Sequence, residues 1–313
     1  MAAPHGIAGQ FGYKTESVVG TGVTVTKFLP ILSESIKNNQ ERIESKGMRA
    51  GRRVVSKWKA GRQVIGGGLE LEMWNLDVAV LWKHIFGDVT TTGIGPYTHT
   101  YSPADLTGDS MTIQIGRPDI AGTVQPFTYA GCKVRSWSLK ASAGDIATLS
   151  LDVSAMSEAT GTALATASYD ASLAPFVFTE ASLSIAGSAV GTVKNMTLTG
   201  NNALGERFRL GSATAKESLE TDVREYMVDA VADFESLTHY ARIAAGAEVA
   251  VVATYSNGTQ SMTITMNCRT DGDTPVLSGP DVLEQPLKLK CVSGTSDAAA
   301  ITAVLINGET TAA

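Results

Sequence analysis

The stretch SMTIQI at residues 110–115 is echoed by SMTITM at residues 261–266. Both stretches alternate between apolar and polar side chains, which is the pattern of a β-strand with one buried face. A short match of this kind is weak by itself. The fold that it predicts depends on whether the flanking sequence is repeated as well.

Other elements recur at nearly the same spacing of about 150 residues. Phe28 opens FLPILSESI and Phe178 opens FTEASLSI, while Leu139-Lys140 and Leu289-Lys290 hold matching positions in two further alternating runs. Each of these runs is followed by a polar turn, SAGD or SGTSD, and then by another apolar stretch. This pattern predicts a β-hairpin near the end of each half.

Each half also contains one helix candidate ahead of its SMTI strand. The first has Asn75 as a possible N-cap and Gly87 at its end, and the second has Asp233 and Gly246 in the same roles. Polar caps and terminal glycines are typical of helix ends. Because the same elements follow one another in the same order twice, the sequence indicates an internal duplication.

The predicted fold is mainly β with flanking helices. It consists of two tandem β-sandwich or barrel modules, residues 28–165 and 166–313, each with one helix, preceded by an N-terminal arm at residues 1–27. The alternative is one large β-sandwich whose strands resemble each other only because all half-buried strands alternate. The length of 313 residues is compatible with both.

The composition is that of a globular protein. Hydrophobic residues make up 43% of the chain and charged residues 18%, and the 31 glycines suit tight turns between strands. The net charge of −6 argues against a general nucleic-acid binder. The three cysteines, Cys132, Cys268 and Cys291, form no CxxC pair, so we expect them to be reduced. Neither a signal peptide nor a membrane-spanning run is expected.

No pattern of catalytic or metal-binding residues is present in the sequence. The four histidines lack HExxH or Cys/His spacing, and no GxSxG occurs. The triplet Gly66-Gly67-Gly68 precedes a strand-like run and lacks a following GK[ST], so a bend or bulge is expected there and not a phosphate loop. We therefore expect no enzyme activity, no cofactor and no metal.

Charge is distributed unevenly along the chain. Residues 46–62 carry seven basic residues and no acid, which predicts an exposed loop or hairpin. The basic residues are Lys46, Arg49, Arg52, Arg53, Lys57, Lys59 and Arg62. The acids concentrate in the second half, where Glu217, Glu220, Asp222, Glu225 and Asp229 form a candidate acidic surface. Two solvated faces of opposite sign would explain this, as would a basic loop that docks on the acidic surface of another copy. Binding of nucleic acid by the loop is a third interpretation.

Several stretches resemble the major tail tube proteins of long-tailed, non-contractile bacteriophages. The likeness runs through GQFGYKTESVVGTGVTVTKFLPILSESI (9–36), the basic loop, IGGGLELEM (65–73), YTHTYSP (97–103) and YAGCKVRSWSLKASAGD (129–145). It covers most of the first half, and the second half resembles the family chiefly through its likeness to the first.

The resemblance implies a virion protein, assembled in the bacterial cytoplasm, whose subunits form rings that stack into a hollow tube for the genome. Its partners would be other copies of itself, other tail proteins at the tube ends, and double-stranded DNA that passes without specific binding. The chain itself would bind no membrane. By the same likeness, residues 46–62 would be the loop between rings, residues 1–27 an arm, and the inner wall a continuous β-barrel shared by the subunits.

Barrel geometry connects the duplication with the size of the ring. With strands about 4.8 Å apart and tilted by about 40°, 24 strands enclose a barrel about 48 Å wide, whereas 12 strands give only about 24 Å. Duplex DNA needs about 20 Å plus room for side chains and water. If each half supplies four strands, a trimer with pseudo-sixfold symmetry suffices. A hexamer in which one half decorates the outside is the alternative.

A conduit works best when its wall does not hold DNA, so we expect a lumen of net negative potential. The polar positions Thr112, Gln114, Thr263 and Thr265 are the candidate lumen residues. The competing class of function is a structural phage protein that forms no conduit, such as a capsid decoration or an adhesin with two β-sandwich domains.

Overall fold

The computed structural model describes residues 6–55, 57–271, 277, 279, 282–294, 296 and 300–312. Residues 1–5 of the predicted arm, Ser56 of the basic loop, and Thr295 and Asp297 of the predicted SGTSD turn lie outside the described residues. The chain is mainly β with few helices, as predicted.

The strands and helices follow one another in this order. The first half contains β1 Gln10–Thr15, β2 Lys27–Leu29, β3 Ser33–Glu34, β4 Lys37–Glu44, β5 Trp58–Glu72, α1 Ala79–Phe86, β6 Gly87–Thr92, β7 Tyr97–Pro103, β8 Met111–Pro118, β9 Val124–Ser142, β10 Thr148–Ala155 and β11 Ser157–Ala159. The second half contains β12 Ala181–Ile185, β13 Ser188–Ala189, β14 Val193–Asn201, β15 Leu204–Arg207, β16 Lys216–Glu220, β17 Glu225–Asp233, α2 Thr238–Ala245, β18 Glu248–Ser256, β19 Ser261–Thr270, β20 Glu284–Cys291 and β21 Ile301–Asn307.

Antiparallel pairing joins these strands into long series. One series, here called the first sheet, runs β4–β5–β10–β9–β14–β17–β20. Another, the second sheet, runs β12–β18–β19–β21–β7–β6. The two halves of the chain meet in both, through β9–β14 in the first sheet and through β21–β7 in the second. Each sheet is therefore shared by both halves.

The hydrophobic core lies where apolar faces of the strands meet. In β17, for example, Tyr226, Val228 and Ala230 are buried, while Glu225 is exposed and Asp229 half-buried. This alternation is what a strand requires when one of its faces covers a core and the other meets solvent. The aromatic side chains of Trp82 and Trp137 meet edge to face in the core, with ring centroids 5.6 Å apart.

The two helices begin later than their cap patterns predict, and they differ in burial. The residue at the N-cap position of α1 is Val78, whose apolar side chain makes no cap hydrogen bond, and the predicted cap Asn75 instead bonds to the chain around residues 172–174. Seven of the eight residues of α1 are buried. In the second half, Asp233 is the last residue of β17 and not a cap. The predicted terminators are correct: Gly87 and Gly246 both adopt positive φ at the helix ends.

Part of the predicted N-terminal arm belongs to the body of the protein. Strand β1 lies between β2 and β8, and its Phe11 and Tyr13 are fully buried. The arm prediction over residues 1–27 is therefore wrong for residues 10–15, since these residues complete a sheet within their own subunit. A strand that alternates apolar and polar residues is stabilised more by burial in its own core than by remaining free.

Two strands, β6 and β7, separate α1 from the SMTI strand β8, whereas one strand, β18, separates α2 from the SMTI strand β19. The two SMTI strands also pair differently. Strand β8, which contains most of the first SMTI stretch, pairs with β1 and β9. Its counterpart β19 pairs with β18 and β21 and meets β20 at three residue pairs. In the described part of the chain, the first half thus contributes four strands to the first sheet and the second half three. The condition of four strands from each half, on which the estimate of a trimer was based, is thus met in this sheet by the first half alone.

Candidate functional site

The basic stretch forms the end of a long hairpin. Strands β4 and β5 pair from Lys37↔Gly66 to Glu44↔Trp58, and all described residues from 42 to 60 are exposed. Among them are Lys46, Arg49, Arg52, Arg53, Lys57 and Lys59, for which no ion pair occurs within the described part of the chain. The predicted loop or hairpin is thus a hairpin, with unpaired positive charge at its tip.

The same hairpin exposes large apolar side chains. Ile43, Met48, Val54, Val55 and Trp58 are each more than half exposed. Exposed apolar groups clustered in this way are typical of surfaces that contact another protein. The hairpin tip therefore combines a hydrophobic patch with positive charge.

The base of the hairpin is held in place. The guanidinium of Arg62 donates to Glu41 at 2.7 Å and lies 5.3 Å from the ring centre of Phe208. Arg42 lies over the ring of Trp58 at 5.2 Å. Of the seven basic residues predicted for the loop, Arg62 is thus engaged within the chain. The other six remain available to a partner.

The predicted acidic residues do not form one free surface. Glu217 accepts from Lys133 at 2.6 Å, Glu220 pairs with Arg224, and Glu225 pairs with Lys290. The ion pair with Lys133, together with a backbone hydrogen bond, lowers the pKa of Glu217 despite its partial burial, which opposes the shift. Asp222 is exposed, whereas Glu225 and Asp229 lie on the first sheet.

An open groove nevertheless collects several of these acids. It is lined by the turn after β7, the segment between β16 and β17, and the end of β20. Asp105 and Asp222 line it without a cationic partner in the described part of the chain, and the exposed Val223, which follows Asp222 in the sequence, lines it as well. We call this feature the acidic groove.

Two of the four predicted lumen residues lie inside the fold. The Thr112 hydroxyl donates to Glu16 at 2.8 Å, and the Gln114 amide donates to Thr128 at 2.9 Å. Both residues are buried, because β1 and the segment near residues 163–165 cover β8. The prediction that they line a channel is therefore wrong. Thr263 and Thr265 are half-buried and exposed, respectively, and both belong to the outward face of the second sheet.

A continuous polar surface occurs instead on the outward face of the first sheet. Register pairs place Ser150 opposite Ser138, Ser138 opposite Thr199, and Thr199 opposite Met227. The next row runs Thr148, Lys140, Thr197, Asp229 and Lys288. A shallow depression lies on it, lined by Ser136, Ser138, Ser150, Asp152, Thr199, Asn201 and Glu225 together with the apolar residues Trp137, Leu151 and Met227. We call this surface, from β5 to β20, the polar face.

The polar face carries more carboxylates than cations. Its acids are Glu70, Glu72, Asp152, Glu225, Asp229, Asp233 and Glu284, and its cations are Arg135, Lys140, Lys194, Lys288 and Lys290. Most of the cations are neutralised. Arg135 pairs with Asp152 at 2.9 Å, and Lys194 bridges Asp233 and Glu284, each at 2.7 Å.

The sequence contains a signal for the individual strands of the polar face, but not for their arrangement. The runs RSWSLKAS (135–142) and MTLTGN (196–201) alternate as clearly as the SMTI stretches, and their polar positions are Ser, Thr, Lys and Asn. Alternation reveals that a strand has a polar face, but it does not reveal which strands lie side by side. That information comes only from the pairing.

The glycine triplet serves close packing of strands. A bend or bulge was expected at Gly66, Gly67 and Gly68, and these residues lie within β5 in uninterrupted register with β10, so no bulge interrupts this pairing. A Cβ at Gly66 would approach the Val153 carbonyl oxygen at 2.4 Å, and one at Gly67 would approach the Ser35 carbonyl oxygen at 2.3 Å. Only glycine fits such contacts.

Among the residues that the structure describes, the titratable side chains form no cluster typical of catalysis. His84 is buried, which lowers its pKa to about 4, and it contacts the Thr15 hydroxyl at 3.1 Å. His99 is buried and lies between Thr91 and Asn307. Within the described residues, no group of three or more His, Cys, Asp or Glu side chains could hold a metal ion. Of the helices in that part of the chain, none has the length and apolar character needed to cross a membrane.

The sequence was also compared with protein families. A family model described as "Phage tail tube protein" matches residues 6–291, which is most of the chain. No curated protein matches the sequence.

Proposed function

This chain belongs to the phage tail tube protein family, and from this premise we propose that it polymerises as stacked rings into the tail tube of a long-tailed, non-contractile phage. In this proposal the tube is assembled in the host cytoplasm, joins other tail proteins at its ends and conducts genomic DNA. The role is structural and requires no catalytic group. The observation that carries the proposal is the polar face of the first sheet.

The polar face has the chemistry that a DNA conduit needs. Hydroxyl and amide side chains of Ser, Thr and Asn offer the phosphate backbone no fixed positive charge, so duplex DNA gains little from contact with them. The excess of carboxylates over cations gives the face a net negative charge. A wall that repels phosphate avoids the counterion release that drives DNA binding to basic surfaces. We therefore assign the polar face to the lumen.

The width of the first sheet favours a trimeric ring. Seven strands per chain give 21 strands in a trimer, and at about 4.8 Å spacing and 40° tilt these enclose about 42 Å between backbones. Side chains occupy about 5 Å on each side, which leaves about 30 Å for a duplex about 20 Å wide. A hexamer built in the same way would be about 84 Å across, far wider than DNA requires.

Ring closure would use the edges of the first sheet. Strand β4 pairs only with β5 within the described part of the chain, and β20 pairs with β19 only at its C-terminal end. The backbone groups at Glu284–Leu287 and along β4 are therefore open on one side. Such edges pair with other strands when they are available, so we propose that β4 of one subunit meets β20 of the next.

The proposed stacking contact joins the basic hairpin of one ring to the acidic groove of the next. The tip offers Arg49, Arg52 and Arg53 beside apolar groups, while the groove offers Asp105 and Asp222 beside Val223. Opposite charges on one chain favour self-association in a fixed register. Apolar groups on both sides would bury the area that a lasting contact needs.

The modular organisation is part of the same proposal. We infer that residues 28–165 and 166–313 derive from one ancestral module, because in each of them a helix that ends at a glycine precedes an SMTI strand. The hairpin predicted near the end of each half forms between β9 and β10 in the first half, whereas β20 pairs with β17 and β19, and β21 with β19 and β7. The exchange of β7 into the second sheet, where it pairs with β21, is consistent with two modules that became interdependent after duplication.

Electron microscopy of the purified protein tests the proposal. We expect hollow tubes with threefold rotational symmetry in cross-section and with the polar face toward the axis. A sixfold cross-section with one half of each chain outside would contradict the trimeric ring, but it would still support a function as a tube. Discrete particles without any filament would favour the competing function as a capsid decoration or adhesin.

A further inference from the structure

Two of the three cysteines face each other across neighbouring strands. β19 and β20 pair at Cys268↔Cys291, Arg269↔Lys290 and Thr270↔Leu289. Residues directly opposite in an antiparallel pair have their Cβ atoms about 4.5–5.5 Å apart on the same face. A disulfide needs a Cα separation of about 4.4–6.8 Å, which directly opposed strand residues satisfy.

The two thiols differ in exposure and in reactivity. Cys268 is fully buried, whereas Cys291 is half-buried and lines the acidic groove beside Lys290 and Ser293. The interaction between the two cysteine side chains lowers the pKa of Cys291 and raises that of Cys268. The Cys291 thiol itself donates to the Ala300 carbonyl oxygen at 3.1 Å. A thiolate is the reactive form, so Cys291 is the cysteine that an external reagent meets first.

The third cysteine provides an internal comparison. Cys132 is buried in the core, and burial raises its pKa. Its register partner on β8 is Met111. It therefore has neither a cross-strand thiol partner nor access to solvent.

We propose that Cys268 and Cys291 form a disulfide when the protein meets a small-molecule disulfide such as oxidised glutathione, the condition of a particle outside the reducing cytoplasm. The Cys291 thiolate attacks one sulfur of the reagent and releases its other half as a thiolate. The Cys268 thiol then gives up its proton to this released thiolate, and its sulfur attacks Cys291 Sγ and expels the second half. Two protein thiols are oxidised, and one small disulfide is reduced to two thiols.

The disulfide would link the first sheet covalently to the second sheet. β20 belongs to the first sheet and β19 to the second, and the described contact between these strands is limited to three residue pairs. Cross-linking them also closes the chain between residues 268 and 291 into a loop, which restricts the unfolded state. We expect the melting temperature to rise by about 5 °C. This inference does not depend on the tube, since it concerns one chain.

Intact mass spectrometry and peptide mapping test the proposal. Fully reduced protein is incubated with oxidised glutathione, and we expect the mass to fall by two hydrogen atoms and a Cys268–Cys291 cross-linked peptide to appear. The Cys132→Ala variant should behave in the same way. Cys268→Ala should instead retain one glutathione on Cys291, and Cys291→Ala should remain unmodified while folded.

Three results would overturn the proposal. They are wild-type protein that keeps glutathione without forming the cross-link, a cross-link that involves Cys132, and glutathione on Cys268 of the folded Cys291→Ala variant. Circular dichroism shows whether each variant is folded. If a variant fails to fold, the peptide map of wild-type protein and of Cys132→Ala still decides between the outcomes.

Discussion

At the scale of single residues, Glu16 ties the N-terminal segment to the body of the protein. Its carboxylate is buried and accepts hydrogen bonds from the Gly20 and Gly131 amides and from the Ser110 and Thr112 hydroxyls, at 2.7–2.9 Å. A buried acceptor with four donors is costly to remove, because the donors then lack partners. This one side chain thus joins the turn after β1 to β8 and β9.

Replacement of Glu16 by alanine should lower the free energy of unfolding by about 3 kcal/mol or more, since each unsatisfied buried donor costs about 1–3 kcal/mol. Urea unfolding monitored by tryptophan fluorescence measures this. Glu44→Ala is the matched control, because Glu44 is exposed and its loss should change stability by less than about 0.5 kcal/mol. Equal effects of the two substitutions would contradict the role assigned to Glu16.

His84 makes stability depend on pH in a defined direction. Burial lowers its pKa to about 4 in the folded protein, whereas the unfolded chain has a value of about 6.5. The unfolded chain therefore takes up the proton first as pH falls. The stability linked to His84 is fully present above about pH 6.5 and is lost between there and pH 4, by up to about 3 kcal/mol.

The decrease in unfolding free energy at low pH should be smaller by a similar amount in His84→Gln, because the glutamine side chain cannot become charged. Unfolding free energies at pH 7 and pH 4.5, compared between wild type and variant, measure it. Asp109, Lys83 and Lys133 are the charged groups around His84, and they are unchanged in this comparison. His239→Gln in α2 is the control, because His239 is only partly buried. An unchanged pH dependence in His84→Gln would contradict the assignment.

At the scale of elements, the β4–β5 hairpin is the part of the fold that its own subunit leaves uncovered. Its base is fixed by Arg62 and Glu41, while its tip exposes positive charge and apolar side chains together. Burial of that tip by a neighbouring ring would remove the apolar patch from water and neutralise the charge. The hairpin is therefore the element whose change should separate assembly from folding.

Reversal of charge in Arg52→Glu/Arg53→Glu should leave a folded, soluble subunit that does not elongate into tubes. Sedimentation and negative-stain microscopy measure the polymerised fraction, and circular dichroism measures folding. Lys14→Glu/Lys216→Glu changes the net charge equally at two exposed positions on other strands and should polymerise normally. Normal tubes from the hairpin variant would refute its role in stacking.

At the scale of the whole molecule, the first sheet matters because it crosses from one half of the chain to the other without a break. Strands β9 and β14 pair over seven residue positions, so the polar faces of both halves form one surface. A lumen built from this surface would have a continuous lining around the ring. The net charge of this lining, and not any single residue, would determine how strongly the wall holds DNA.

Introduction of positive charge at the centre of the polar face should convert a non-binding wall into a binding one. Ser138 and Thr199 lie opposite each other, so tubes of Ser138→Lys/Thr199→Lys should retain a fluorescent DNA duplex at low salt and release it as salt rises. Tubes of Ser138→Asn/Thr199→Asn are the neutral control and should not retain it. Retention by wild-type tubes at the same level would argue against the assignment of the lumen.

Some of these features follow from local sequence, and others do not. Alternation correctly predicts a mainly β protein, and seven cations without an acid predict the exposed hairpin, because both are properties of consecutive residues. Thr112 and Gln114 show the limit of this reasoning. They look like solvent-facing strand positions, yet Glu16, the residue after β1, and residues 163–165 supply hydrogen-bonding partners that cover them.

The sequence by itself determined the class of fold, the helix terminators and the charged hairpin, since each depends on side chains near one another along the chain. Only the tertiary structure decided that β1 belongs to the core, that β7 joins the sheet of the other half, and that Cys268 faces Cys291. These outcomes depend on which strands lie side by side. Strand pairing is set by the burial of apolar faces across the whole chain, and a repeated sequence pattern permits more than one such arrangement.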